Sequence, residues 1–216
     1  MHVVIINGSP RVKEFSNTDK ILGKFTEGLT ENGTTFEQYE VSDRKQWDAI
    51  RTAYSANKNV LMAIPLYVEN IPGLLLEFLK TLAPKNDGTQ LSFILQGGFA
   101  EGSQLRCGEA YLEILAKELG CEYGGTLAKG DNFSIRFLGE QTRERVTSPY
   151  KEMGREFAAQ GNFKSEACKK FTGPETFPLK IRILVGAMFA TVARKSFKKI
   201  AAGLGCTKSL KYRPYK

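Results

Sequence analysis

Short apolar runs alternate with amphipathic stretches five times over roughly the first 160 residues. Residues 2–6 (HVVII), 59–64 (NVLMAI) and 91–95 (LSFIL) are apolar almost without a break, the pattern of strands covered on both faces. Residues 35–41 (TFEQYEV) alternate like an edge or half-exposed strand, and 122–128 read as a fifth. Between them, residues 17–32 place Ile21, Leu22, Phe25 and Leu29 on one helical face, with Ser16 and Asp19 at capping-box spacing and Gly33 just beyond. Helices are likewise read over 43–57, from Pro72 through Leu79, over 103–119 and over 142–160. Strand and helix in strict alternation predict an α/β domain, a doubly wound five-stranded parallel sheet with helices on both faces. Right-handed crossovers then put the loops after the strands on one rim, where ligands bind in such sheets.

The composition narrows the chemistry. His2 is the only histidine, which excludes a Ser-His-Asp hydrolase and argues against histidine-ligated metal or histidine acid–base catalysis. Cys107, Cys121, Cys168 and Cys206 are scattered, with no C-x-x-C pair, so no metal or iron–sulfur centre is expected. No catalytic acid or base stands out, and a bound cofactor is the natural carrier of any reaction. The chain enters Val3-Val4-Ile5-Ile6 with no basic region before it, unlike a signal peptide. With thiols expected to be reduced, the expectation is a cytoplasmic protein.

Three rim loops carry the candidate site. After Ile6 comes Asn7-Gly8-Ser9-Pro10-Arg11, then Ser16-Asn17-Thr18 at a helix start. A helix N-terminus offers free N–H groups and the positive end of its dipole, and Ser9, Arg11, Ser16, Asn17 and Thr18 add donors suited to a phosphate. Neither a Walker A loop nor a G-x-G-x-x-G turn is present. After Ile64, the segment Pro65-Leu66-Tyr67-Val68-Glu69-Asn70-Ile71-Pro72-Gly73-Leu74-Leu75 supplies a proline-stiffened turn and an aromatic ring. After Leu95, Gln96-Gly97-Gly98-Phe99 pairs backbone able to approach a ligand closely with a second aromatic ring.

Together these segments resemble those of the NAD(P)H-dependent FMN reductases, a family of flavodoxin-like flavoproteins. I-N-G-S-P-R followed by S-N-T resembles their phosphate loop, P-x-Y-x-x-x-x-P-G-x-L the segment around the isoalloxazine, and Q-G-G-F the glycine loop on its other side. The resemblance covers about residues 1–160. It implies FMN as cofactor, NAD(P)H as co-substrate and a quinone, nitro, azo, free flavin or metal-ion acceptor. By the same resemblance Ser9, Arg11, Ser16, Asn17 and Thr18 would hold the phosphate, and Pro65, Leu66, Tyr67, Val68, Gly97, Gly98 and Phe99 the ring. A neighbouring subunit of a homo-dimer or tetramer, or the tail, would complete a shallow flavin site. Many such reductases have Asn where this chain has Val68, Lys where it has Leu76 and Asp where it has Lys80. The alternative is an electron carrier or redox sensor without nicotinamide-dependent turnover. Against the carrier, the T-x-T-x-x-T phosphate loop of flavodoxins is absent and the chain is basic rather than acidic.

The charge divides the chain. Residues 1–162 carry 18 Lys and Arg against 21 Asp and Glu, whereas 163–216 carry 13 against 2. Two regions are therefore read: a domain over 1–162 and a basic helical extension over 163–216. Within the extension, residues 178–199 are apolar in the middle, basic at both ends and expected to be helical. This helix can pack on the domain or a sister subunit, cover the site as a lid, or touch a membrane surface. Nucleic-acid binding is not expected, because the basic residues are not interleaved with aromatics and no known motif is present.

Overall fold

A computed structural model of the chain describes all residues except Glu69, Leu210, Pro214 and Lys216. Five strands, β1 (His2–Asn7), β2 (Thr35–Glu40), β3 (Asn59–Pro65), β4 (Gln90–Gln96) and β5 (Glu122–Lys129), form one sheet in the order β2-β1-β3-β4-β5, every pairing parallel. The order reverses direction after β1, so the crevice between the loops after β1 and β3 is the switch point where this topology binds ligands.

Alternation along the strands sorts the core into two layers. Val4, Ile6, Met62, Ile64, Phe93 and Leu95 face α2 (Trp47–Ala56), α3 (Gly73–Leu79) and α4 (Arg106–Glu118). Val3, Ile5, Leu61, Ala63, Ile94 and Leu127 face α1 (Asn17–Thr30) and α6 (Pro149–Gln160). All of these strand residues are fully buried. The edge strand β2 is half-exposed, in keeping with its alternating sequence.

The stretch 142–160 is not one helix but two, α5 (Glu140–Thr147) and α6, separated at Ser148. Pro149 occupies the first turn of α6, where its missing N–H costs nothing; inside a continuous helix it would remove a bond and clash with the turn before it. A short helix, α7 (Glu166–Phe171), follows, with Phe163 and Cys168 buried in the second core layer.

The chain forms two compact units, Met1–Glu175 and Thr176–Lys216. The second contains α8 (Leu179–Met188), a π-helical turn (Phe189–Ala193) and α9 (Arg194–Gly203), none with a buried residue. Among the described residues, no helix is long and apolar enough to cross a membrane.

Candidate functional site at the sheet rim

The three loops seen in the sequence meet at the C-terminal rim and are tied to one another. The Gly8 N–H donates to the Ala63 carbonyl at 2.8 Å, joining the first loop to β3. The Leu66 N–H donates to the Gln96 carbonyl at 2.8 Å, joining the second loop to the third. Gln96 Nε2 reaches back to Thr18 Oγ1 at 3.4 Å. Gly8 and Gly97 both lie close to the movable end of a leucine side chain. A Cβ on Gly8 would stand 2.9 Å from Leu75 Cδ2, and one on Gly97 would stand 2.6 Å from Leu105 Cδ2. Both polar backbone groups of Gly97 are bonded internally, to Lys129 and Asn132. Gly98, by contrast, is exposed.

In the first loop, Ser16 caps α1, its Oγ accepting from the Asp19 N–H at 3.1 Å. Ser9 is buried, with its N–H on Asn7 Oδ1 and its Oγ accepting from the Arg11 N–H. Thr18 is buried as well, so of the five candidate phosphate residues only Arg11 is exposed and Asn17 partly so. The first N–H groups of α1, at Asn17 and Thr18, have no partner within the helix and remain for a ligand. Asn17 Nδ2 donates to the carbonyls of Asn132 (2.7 Å) and Phe133 (3.2 Å), while its Oδ1 is buried without a hydrogen-bond partner.

Those contacts bring in a fourth loop, after β5, that the sequence reading did not single out. Asn132 is buried and central to it. Its N–H donates to the Gly97 carbonyl, its Nδ2 to the Lys129 carbonyl (2.9 Å) and Tyr150 Oη (3.0 Å), and its carbonyl accepts from Asn17. Four residues on, Arg136 lies with its guanidinium 4.4 Å from the Phe137 ring centroid. Burial, and after it the nearby Arg11 cation, hold Arg136 below the usual arginine range. Neither arginine has an acidic partner among the described residues, Arg136 feels the Arg11 charge, and the turn that carries Arg136 contacts α1. The signal was available: Gly130-Asp131-Asn132 is a turn cluster following a fifth rim strand.

In the second loop, Pro65 and Leu66 are buried and can offer only backbone. Tyr67 and Asn70 exchange N–H···O bonds of 2.8 and 3.2 Å around a tight turn through Val68, whose φ is +47°; Glu69 lies outside the described residues. Tyr67 and Phe99 are exposed, as are Phe133 and Phe137, whose ring centroids lie 5.9 Å apart. The N–H groups of Val68, Gly98 and Phe99 make no hydrogen bond among the described residues.

No protein-family model and no curated protein sequence matches the chain. Solved structures do. An FMN-dependent NADH-azoreductase from Bacillus anthracis, in complex with FMN, aligns at a TM-score of 0.53 and 17% identity, over 73% of this chain and all of that one. The chain has the flavodoxin-like fold. An NADH:FMN oxidoreductase in its apo form aligns at 0.55 and 15%, over 80% of this chain and 96% of its own. An NAD(P)H:quinone oxidoreductase from Methanothermobacter marburgensis aligns at 0.50 and 18%, over 73% and 96%. At these identities the likeness is one of fold.

Proposed function

We propose that the protein is an FMN-dependent oxidoreductase that takes electrons from NAD(P)H and passes them to a small-molecule acceptor. The observation that carries this reading is the convergence of Arg11, Arg136 and the opening of α1 beside exposed aromatic rings and free backbone N–H groups. A flavin mononucleotide needs those features together: cations and helix-end amides for a dianionic phosphate, flat surfaces for a tricyclic ring, and backbone donors for its polar edge. The buried, unpartnered Asn17 Oδ1 beside the helix opening is a further acceptor, suited to a ribityl hydroxyl. Bound FMN supplies two-electron chemistry that no side chain of this rim provides.

The residues' work is to bind and orient. Arg11 and Arg136, with the N–H groups of Asn17 and Thr18, would fix the phosphate. Ser9, Ser16 and Thr18 are buried and each accepts a hydrogen bond that holds the loop or caps the helix, which leaves each hydroxyl proton to donate. Tyr67, Phe99 and the N–H groups of Val68, Gly98 and Phe99 would orient the ring, with Pro65, Leu66 and Gly97 shaping the backbone beneath. The structural neighbours that carry FMN or use NAD(P)H give the reading its context.

The test is steady-state oxidation of NADH and NADPH by the FMN-loaded protein, with a quinone, an azo dye and free FMN as acceptors. Turnover that depends on FMN and on an acceptor is expected. Tight FMN binding with no turnover on either nicotinamide would instead favour an electron carrier.

A further inference from the structure

The basic C-terminal unit is left unexplained by a flavin site. Of the 13 cations after residue 162, Lys164, Lys169 and Lys170 belong to the first unit, as do both acids, Glu166 and Glu175. Residues 176–216 therefore carry ten Lys and Arg and no Asp or Glu. Within them α8, the π turn and α9 run on as one helical stretch from Leu179 to Gly203, about 38 Å long at the usual rise.

Seven of its apolar residues line up, while Leu179, Ile183, Leu184 and Phe189 add exposed apolar surface beside them. Ile181, Val185, Met188 and Val192 follow at spacings of four, three and four, one face of an α-helix. Phe197, Ile200 and Leu204 continue at three and four, but the step from Val192 to Phe197 is five. A uniform α-helix would swing the second group away by about one residue's rotation, roughly 100°. The π turn at Phe189–Ala193 takes up that extra residue, so the two groups form one stripe. Arg194, Lys195, Lys198 and Lys199 fall on the other side of α9. Met188, Phe189, Val192 and Phe197 are all exposed, with Val192 at 69% and Leu204, just past the helix, at 82%. An exposed stripe of this size marks an interaction surface.

We propose that Leu179–Leu204 lies in the plane of an anionic lipid surface, its stripe among the acyl chains and its cations on the headgroups. Charge selects this occupant. A second copy of the stripe would bring a second set of ten cations with no acid to meet them, whereas a negative leaflet answers both the charge and the apolar face. The stretch binds along the surface and does not cross, since no helix among the described residues is both long and apolar enough to span a membrane.

The full-length protein is mixed with phosphatidylcholine vesicles containing about 30 mol % phosphatidylglycerol, and separately with pure phosphatidylcholine vesicles, then pelleted. The expected result is binding to the anionic vesicles at least tenfold tighter than to neutral ones, weakened by high salt. The double variant Val192→Asp, Phe197→Asp and the triple variant Lys195→Glu, Lys198→Glu, Lys199→Glu should each lose at least tenfold. All five positions are exposed, and unchanged thermal unfolding checks the fold. No preference for anionic vesicles, or variants that bind as well as the parent, would overturn the proposal. So would a dimer in solution, in the absence of lipid, that Val192→Asp, Phe197→Asp dissolves. These outcomes do not depend on whether FMN binds.

Discussion

Val68 stands at φ +47°, a conformation that a β-branched side chain adopts only at a cost. The two-residue turn closed by Tyr67 and Asn70 demands it, because tight hairpin turns place a central residue at positive φ. Asparagine is at home there, and asparagine is what many FMN reductases carry at this position. Val68→Asn is therefore predicted to stabilise the protein by about 1 kcal/mol, raising the unfolding midpoint by roughly 2–4 °C. A midpoint that falls in thermal unfolding would mean that the turn does not hold Val68 under strain. Arg11 was legible because it sits in a donor-rich loop opening a helix. Arg136 was not, because its place beside Arg11 depends on Asn17 and Asn132 clasping loops 115 residues apart.

At the scale of elements, α1 and α6 approach unusually closely, and two glycines permit it. A Cβ on Gly28 would lie 1.9 Å from the Lys151 carbonyl oxygen, and one on Gly154 would lie 2.0 Å from that of Phe25. Neither obstacle is a flexible side chain, so Gly28→Ala should force the helices apart and cost about 2 kcal/mol or more. Gly23, in the same helix, has nothing within 4 Å, and Gly23→Ala should stabilise by up to about 1 kcal/mol. Thermal unfolding of the pair checks both signs; two stabilised variants would contradict the close packing. The same helices are joined at the surface by Glu31 with Arg155 and Lys151. Hydrogen bonds from Arg155 first, then Lys151, lower the Glu31 carboxyl from its usual 4.5 to about 2. Between those values the unfolded chain binds more protons, so this contribution is present above about pH 4.5 and is lost as pH falls toward 2. The gap in midpoint between the parent and Glu31→Gln should shrink over that range; a gap independent of pH would exclude the linkage.

Most of the sheet could be read directly, since buried parallel strands advertise themselves as apolar runs and Ser16 and Gly33 bracket α1 where the sequence placed them. The break at Ser148-Pro149 was missed because the apolar period of 142–160 hides a proline that is acceptable in a first turn. Of the candidate site residues, Arg11, Tyr67, Val68, Gly98 and Phe99 are exposed, in the loops after β1, β3 and β4. The burial of Ser9, Ser16, Thr18, Gly8 and Gly97 was harder to see, because capping and close packing use the same residue types as ligand binding.

For the molecule as a whole, charge and burial divide along the same line. The unit Met1–Glu175 is slightly acidic, with both core layers and the rim; Thr176–Lys216 is wholly basic and has no buried residue in its helices. Each unit has its own proposed ligand, and each is tested separately. The central claim is that the rim holds FMN by its phosphate. The most direct measurement is a titration of the full-length protein with FMN and, in parallel, with riboflavin, followed by flavin absorbance and fluorescence, for the parent, Arg11→Ala and Arg136→Ala. Each arginine removed from a charge-assisted contact should weaken FMN binding by about tenfold or more, while riboflavin, lacking the phosphate, binds all three proteins alike. Equal FMN affinity in parent and variants, or equal losses for FMN and riboflavin, would contradict the account.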